Sequence, residues 1–243
     1  DPLAAPADVV VGADGANGTT ARTVGLGGDI VHGVALEGNV SHARVYKKRY
    51  AGRMVLEFGV VPGGYAWVFP KGDHVNVGVG GWGSIGPDAR ALLRDLCAHH
   101  AIDMTDVTET RGHRLPMRKP TTRLANDRAL LVGDAAGLVD PVSGDGMYEA
   151  FVSARLAAEA ILAGDVAAYA VSVRRDLDGL RAAGWGAKRA LDRFPRATFA
   201  VMRIPATWRA IEQVVTGHVR EPSATRGAER RAMKLIQVLS RAA

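Results

Sequence analysis

The chain has 243 residues, 47% of them hydrophobic and 23% charged, with a formal net charge of +6; it is long enough to bury a real core as one large or two small domains. No run approaches the ~18 apolar residues that cross a bilayer, and the single cysteine, Cys97, excludes an internal disulfide and cannot by itself supply a zinc site. The basic excess belongs to residues 171–243, which lack interleaved stacking aromatics or a known reading motif, so no nucleic-acid partner is expected.

In chain order, Val9-Val10-Val11 is a β-branched run too short for a helix, and it runs directly into Gly12-Ala13-Asp14-Gly15. Residues 33–83 alternate in polarity with turn residues at short intervals, which predicts an antiparallel sheet with strands at 33–37, 53–61, 65–70 and 75–80 and a tight connection at Lys71-Gly72-Asp73-His74. Period two puts Tyr65, Trp67 and Phe69 on one face and Ala66 and Val68 on the other. The first face is an aromatic wall suited to a long hydrocarbon, or else an ordinary core stripe; the two readings weigh equally for Tyr65 and Trp67, and core is favoured for Phe69. Residues 88–100 read as a helix that buries Cys97 as a small hydrophobe, 107–116 as a strand-like return, and 129–133 as a second buried strand. A strong helix follows from Asp145 to about Gly164, with Met147, Phe151, Ala154, Ala158 and Ile161 on a single face. Beyond it the pattern stays helical, broken at Pro195, Pro205 and Pro222.

The segment Leu130-Leu131-Val132-Gly133-Asp134-Ala135-Ala136-Gly137, continued by Asp140-Pro141 and Gly144-Asp145-Gly146-Met147, carries the most chemistry. An Asp at a strand's carboxyl end can accept hydrogen bonds from sugar or ribityl hydroxyls. The open N–H groups and positive dipole end of the following helix favour an electron-rich group. Asp14 repeats the arrangement after the first strand, and the carboxyl ends of parallel strands are where ligands bind. For Asp14 alone, a plain turn or helix cap weighs as much as a ligand role.

These residues resemble the two internal motifs of FAD-dependent oxidoreductases of the para-hydroxybenzoate hydroxylase type, and Pro62-Gly63-Gly64-Tyr65-Ala66-Trp67-Val68-Phe69-Pro70 resembles the signature of the geranylgeranyl reductase family. The resemblance implies an α/β (α+β) architecture in three parts: an FAD-binding, Rossmann-like portion from 1–30 and 125–165, an antiparallel substrate-binding portion at 31–124, and a helical carboxyl-terminal region at 166–243. It implies FAD as cofactor, held by Asp14, Gly15, Gly133, Asp134, Ala135, Pro141, Gly144, Asp145, Gly146 and Met147. Asp134 would bind the ribityl chain, Asp14 would lie near the pyrophosphate through water, and 144–147 would lie by N1 and the C2 carbonyl. Tyr65 and Trp67 would line the path of an isoprenoid lipid or prenylquinone whose carbon–carbon double bonds are reduced, with NADPH or a ferredoxin-like protein as electron donor. No catalytic residue is assigned; Tyr65 is the one candidate proton relay.

The glycine-rich G-x-G-x-x-G turn with which such enzymes hold ADP is missing: neither Gly25-Leu26-Gly27-Gly28 nor 78–83 opens a helix after a strand. The chain is therefore expected to be a carboxyl-terminal part of a longer flavoenzyme. In the first motif the usual Ser is replaced by Gly18, with Thr19 and Thr20 next and Arg22 displaced. Alternatives are a flavin monooxygenase or halogenase on the same fold, or a non-catalytic remnant binding a partner or membrane surface.

No signal-peptide pattern opens the sequence, so a cytoplasmic location is expected. Arg220, Arg226, Arg230, Arg231, Lys234 and Arg241 flank Met233, Leu235, Ile236 and Leu239, either as a basic amphipathic helix resting on the inner membrane face or, preferred, as a helix packing its apolar side on its own domain. Lys47-Lys48-Arg49 reads as charge protecting a hairpin edge in preference to a docking patch. The histidines show no metal-ligand spacing, His99 and His100 are expected to point apart, and no metal is proposed.

Overall fold

The computed structural model describes residues 7–45, 47–215, 218 and 224–242. Arg220, Pro222 and the Lys47 and Lys48 side chains, which entered the expectations above, lie outside the described part. The chain forms two compact units, one from residues 1–30 and 116–243, the other from 31–115.

The second unit is built on a five-stranded sheet in the order β3-β4-β5-β2-β6, from β2 (Ile30–Ser41), β3 (Val55–Phe58), β4 (Tyr65–Pro70), β5 (His74–Trp82) and β6 (Thr108–Arg118). β4 has the bounds its alternation predicts, whereas β2 runs past the expected end because Gly38 is no strand breaker. A Cβ there would lie 2.5 Å from Val107 Cγ1, so the glycine permits a close approach. β4 pairs antiparallel with both β3 and β5, placing Ala66 opposite Val79 and Val68 opposite Val77. That face, with Val40 and Val75, is covered by Tyr50 of the short α2 (Lys47–Tyr50) and by Leu93, Leu96 and Cys97 of α3 (Ala89–His99). Full burial of each such aliphatic is worth roughly 1.5–3 kcal/mol, which fixes the register against a one-residue slip. Burial pushes the Cys97 thiol up to about 11, so it is protonated and inert.

His99 and His100 do not point apart. The helix ends at His99, and both rings turn to Glu57 on β3, His100 Nε2 at 2.8 Å from Oε1 and His99 Nδ1 at 3.3 Å from Oε2. Tyr50 lies 3.1 Å from His100 Nδ1, so a neutral His100 that donates to Glu57 accepts from the phenol. Burial holds its pKa below the usual range, consistent with that neutral form.

In the first unit, β1 (Val10–Gly12) and β7 (Ala129–Leu131) pair in parallel, Val10 opposite Ala129 and Gly12 opposite Leu131. α1 (Thr20–Thr23) follows β1; α4 (Met147–Leu162) and α5 (Ala168–Arg193) bury Leu156, Ala157, Val173 and Leu177 with Leu130, Leu131 and Leu138. The expected α4 face is not the buried one. Met147 and Phe151 are 71% and 79% exposed, and the helix buries Glu149, Ser153, Leu156, Ala157 and Ala160 instead. α6 (Pro195–Met202) and α7 (Pro205–Val215) each begin on a proline, where the missing N–H costs nothing. α8 (Gly227–Ala242) buries Ala232 and Ile236, its Ser240 lies against Gly186 of α5, and Arg209 of α7 holds Glu229 at 2.9 Å. The apolar side of the basic helix thus packs on its own unit, while Leu235 stays about half exposed.

The buried Tyr169 hydroxyl donates to the Leu131 carbonyl at 2.5 Å, tying α5 to the end of β7. Tyr169→Phe is expected to lower unfolding free energy by about 1–2 kcal/mol in urea denaturation; an unchanged midpoint would show that the bond contributes nothing.

Candidate functional site

The end of β7 and the start of α4 converge. Gly133 adopts φ +54°, open to glycine at little cost, and a Cβ there would lie 3.2 Å from that of Ala150. Its N–H donates to Ser153 Oγ at 3.0 Å, which docks the strand end onto the helix. Asp134 follows in a short turn (Gly133–Ala136), half-buried, with Ala135 and Ala136 buried behind it. A Cβ on Gly146 would lie only 2.9 Å from Asp134 Oδ1, so the carboxylate and the bare backbone entering α4 share one spot. Sequence reasoning placed these two residues together, and the fold brings them together.

The connecting loop is held by its own polar groups. Asp140 Oδ1 accepts from the Val142 and Ser143 N–H groups at 3.0 and 2.7 Å and from Ser143 Oγ at 2.9 Å, and the Asp140 N–H donates to the Asp145 carbonyl at 2.8 Å. Gly144 takes φ +72° to close this turn. Asp145 Oδ1 accepts the Met147 N–H at 3.0 Å, so the Met147 amide is already engaged, and the exposed thioether is what that residue presents. Pro141 is buried. The N–H groups of Gly144, Asp145 and Met147 are thus all spent inside the loop, on the Asp140 carbonyl, Ser143 Oγ and Asp145 Oδ1, and that of Gly146 has no partner among the described residues. A helix N-terminus entered through glycine and flanked by the strand-end carboxylate of Asp134 is a donor and acceptor set that fits an isoalloxazine with a ribityl chain.

Asp14 has a different setting. Its Oδ2 accepts the Thr19 and Thr20 N–H groups at 2.7 and 2.9 Å, and these donors hold its carboxyl below the usual range. A Cβ on Gly18 would coincide with the Asp14 carboxylate, which gives the missing serine a physical reason. Asp14 therefore serves the turn into α1; the adjoining Gly15, at φ +75°, has open space where a side chain would stand.

In the sheet unit, Tyr65, Trp67 and Phe69 lie on the face opposite α3, with ring centroids 5.7 Å apart for Tyr65 and Trp67 and 6.0 Å for Trp67 and Phe69. Phe58 extends the row, 5.7 Å from Tyr65. Trp67 is 8% exposed, its indole lying over Gly78 and Gly80 and donating to Asn76 Oδ1 at 2.7 Å. Phe69, read as core, is half-buried and lies outside the valine cluster, because alternation sets it beside Trp67.

Residues 41–110, which include this aromatic row, match the family model of the geranylgeranyl reductase catalytic domain. Over this stretch the chain is similar to geranylgeranyl reductases. It is 39% identical over 161 residues to geranylgeranyl diphosphate reductase of Oryza sativa subsp. japonica, covering 65% of this chain and 34% of that protein. It is 32% identical over 225 residues to menaquinone reductase of Mycolicibacterium smegmatis, covering 85% of this chain and 55% of that protein. The fold is shared with a geranylgeranyl bacteriochlorophyll reductase-like protein of Thermoplasma acidophilum at a TM-score of 0.62 and 23% identity, over 77% of this chain and 51% of that one. The chain thus spans between about a third and about half the length of these relatives.

Sequence reasoning missed three residues behind the α4 turn: Glu149, Arg181 and Gly184. Glu149 is 3% exposed, its Oε2 has no hydrogen-bond partner among the described residues, and burial pushes its pKa up to about 7. Arg181 is 4% exposed and spends its guanidinium on backbone carbonyls. A lone Arg or Glu on a helix reads as a solvated face, and no spacing rule marks it otherwise. Among the described residues no three His, Cys, Asp or Glu side chains gather as a metal site, and no helix is long and apolar enough to cross a membrane.

Proposed function

We propose that this chain is part of an FAD-dependent oxidoreductase that reduces carbon–carbon double bonds of an isoprenoid chain on a lipid or quinone. The observation that carries the reading is the approach of Asp134 to Gly146 at the bare entrance of α4. Bound there, reduced FAD supplies a hydride for one alkene carbon, while the neighbouring carbon takes a proton. Asp134 accepts from ribityl hydroxyls. The Gly146 N–H and the positive end of α4 would stabilise negative charge on the ring, while Gly144, Asp145, Pro141 and Ala135 hold the loop's shape. Met147 offers an apolar contact, and Gly15 leaves room near the Asp14 turn for the pyrophosphate end. Tyr65 and Trp67 furnish hydrocarbon contact, where burial is worth roughly 0.8 kcal/mol per methylene. Both reductase relatives are named for molecules carrying such chains, geranylgeranyl diphosphate and menaquinone, which favours alkene reduction over oxygen chemistry. Electrons come from NADPH or a ferredoxin-like donor, and the basic α8 favours contact with an acidic membrane surface.

Titration with FAD, followed through quenching of isoalloxazine fluorescence, tests the cofactor. Saturable quenching is expected, weakened about tenfold or more in Asp134→Ala, because a hydrogen bond to a charged group is worth roughly 1.5–3 kcal/mol. FAD emission that stays linear with concentration even when an amino-terminal G-x-G-x-x-G unit is supplied would sink the reading. Products gaining one dihydrogen per double bond, without oxygen uptake, separate the reductase from a monooxygenase.

A further inference from the structure

α5 offers one face to the flavin-site backbone at three positions spaced by three residues. Asp178 pairs with the buried Arg118. One turn on, Arg181 donates from Nη2 to the carbonyls of Arg118 at 3.2 Å and Gly137 at 3.3 Å, and from Nη1 to that of Val139 at 3.4 Å. A further turn on, Gly184 makes room for the loop: a Cβ there would lie 2.9 Å from Asp140 Oδ2 and 3.2 Å from Pro141 Cδ. Residues three apart on a helix share a face, so these three contacts form one rail along 118 and 137–141.

Two features mark the rail as more than packing. Gly137 sits at φ +67°, and a Cβ would lie 3.1 Å from Arg118, so the backbone there is tightly bounded on its other side. Burying a guanidinium is costly unless its donors are well used, and this one is used on main-chain carbonyls rather than on a carboxylate. Burial lowers its pKa to about 10, leaving it cationic at neutral pH. Dispersed over three carbonyls, the planar fork holds the backbone in two directions at once; a lysine ammonium at one point cannot.

The geometry points to Arg181 as the positioning residue of the cofactor turn: its fork fixes the Gly137–Val139 backbone and so sets where the Asp140–Gly146 loop and the first amides of α4 stand. The helical carboxyl-terminal region is then a working part of the flavin site. This assignment rests on the flavin reading above.

Arg181→Met and Arg181→Lys test it in the full chain, read by FAD affinity, by the midpoint potential of bound flavin and by amide hydrogen exchange over 137–146. Methionine fills similar volume and leaves no buried charge, so overall stability is expected to change little. Both variants are expected to weaken FAD binding about tenfold or more, to make the potential more negative because the reduced anion depends most on amide placement, and to speed exchange in 137–146 while α3 keeps its protection. Wild-type affinity and potential in either variant overturns the assignment, and full rescue by lysine would show that charge alone suffices. If the unaltered chain shows no saturable FAD binding even with a G-x-G-x-x-G unit supplied, yet exchange in 137–146 accelerates in Arg181→Met, the flavin reading has failed and Arg181 is only a backbone clamp. Should both variants fail to fold, Gly184→Ala presses on Asp140 and Pro141 without uncovering a charge. A severalfold loss of FAD affinity in it is expected; an unchanged affinity overturns the proposal.

Discussion

Replacing Gly78 with alanine is expected to destabilise the sheet unit by about 3 kcal/mol. A Cβ at this position would fall inside the Trp67 ring, since Gly78 stands directly opposite Trp67 in the β4–β5 register. The indole lies flat only because its two cross-strand neighbours, Gly78 and Gly80, have no side chains. Lifting it breaks the 2.7 Å bond from Nε1 to Asn76, which in turn donates to Asn39 at 3.0 Å. Overpacking costs roughly 1–3 kcal/mol and the lost hydrogen bond about 1 kcal/mol more. Urea denaturation of Gly78→Ala, Trp67→Leu and the double variant isolates the clash. In the Trp67→Leu background the added methyl is expected to cost under about 1 kcal/mol, whereas equal costs in both backgrounds would show that the ring is not what fills the space. If the aromatic row binds a hydrocarbon as proposed, the single variant also raises the KM for an isoprenoid substrate, because Tyr65 and Phe69 lose the ring between them.

Glycine explains much of what the sequence could and could not disclose. Around Gly133, Gly144 and Gly146, the residue signals close approach or φ > 0 at a strand–helix junction, and that junction is legible in the sequence because the hydrophobic run and the Asp beside it point the same way. In β2 the same residue looked like a strand end at Gly38 and proved to be an interior close contact, since only the neighbouring Val107 reveals its role. β4 was legible in full because strict alternation leaves only one pair of faces. α4 was not, because both of its faces are apolar: Met147 and Phe151 line one, Leu156, Ala157 and Ala160 the other. Two polar residues on the second, Glu149 and Ser153, disguise it as the solvent side. Ser153 lies inside because it caps the Gly133 N–H, a partner twenty residues away in sequence. Arg181 was hidden for the same reason, its carbonyl acceptors lying 42 to 63 residues upstream.

The buried carboxyl that disguised α4 should make stability fall with pH. Glu149 faces Asp140 and Asp145 from the loop and Arg181 from α5; burial and the two carboxylates raise its pKa from 4.5 to about 7, and Arg181 offsets part of that rise. Between those two values the folded protein keeps a proton that the unfolded chain gives up. The stabilisation from the neutral acid is therefore full below about 4.5 and drains away as pH rises through about 7, where the group is ionised in both states and the native one bears a buried charge. Glu149→Gln keeps the shape and removes the titration. It is expected to change stability little near pH 4.5 and to stabilise by up to about 3 kcal/mol at pH 8, at roughly 1.4 kcal/mol per pKa unit. Urea midpoints of both proteins across that range decide it: a difference constant with pH would mean that Glu149 does not titrate between the two values. The charge of Arg181 enters the same experiment. In Arg181→Met the cation facing Glu149 is gone, so the pH at which the stability difference levels off should move upward, and a window that stays in place would show that the guanidinium acts on the carbonyls without reaching the acid.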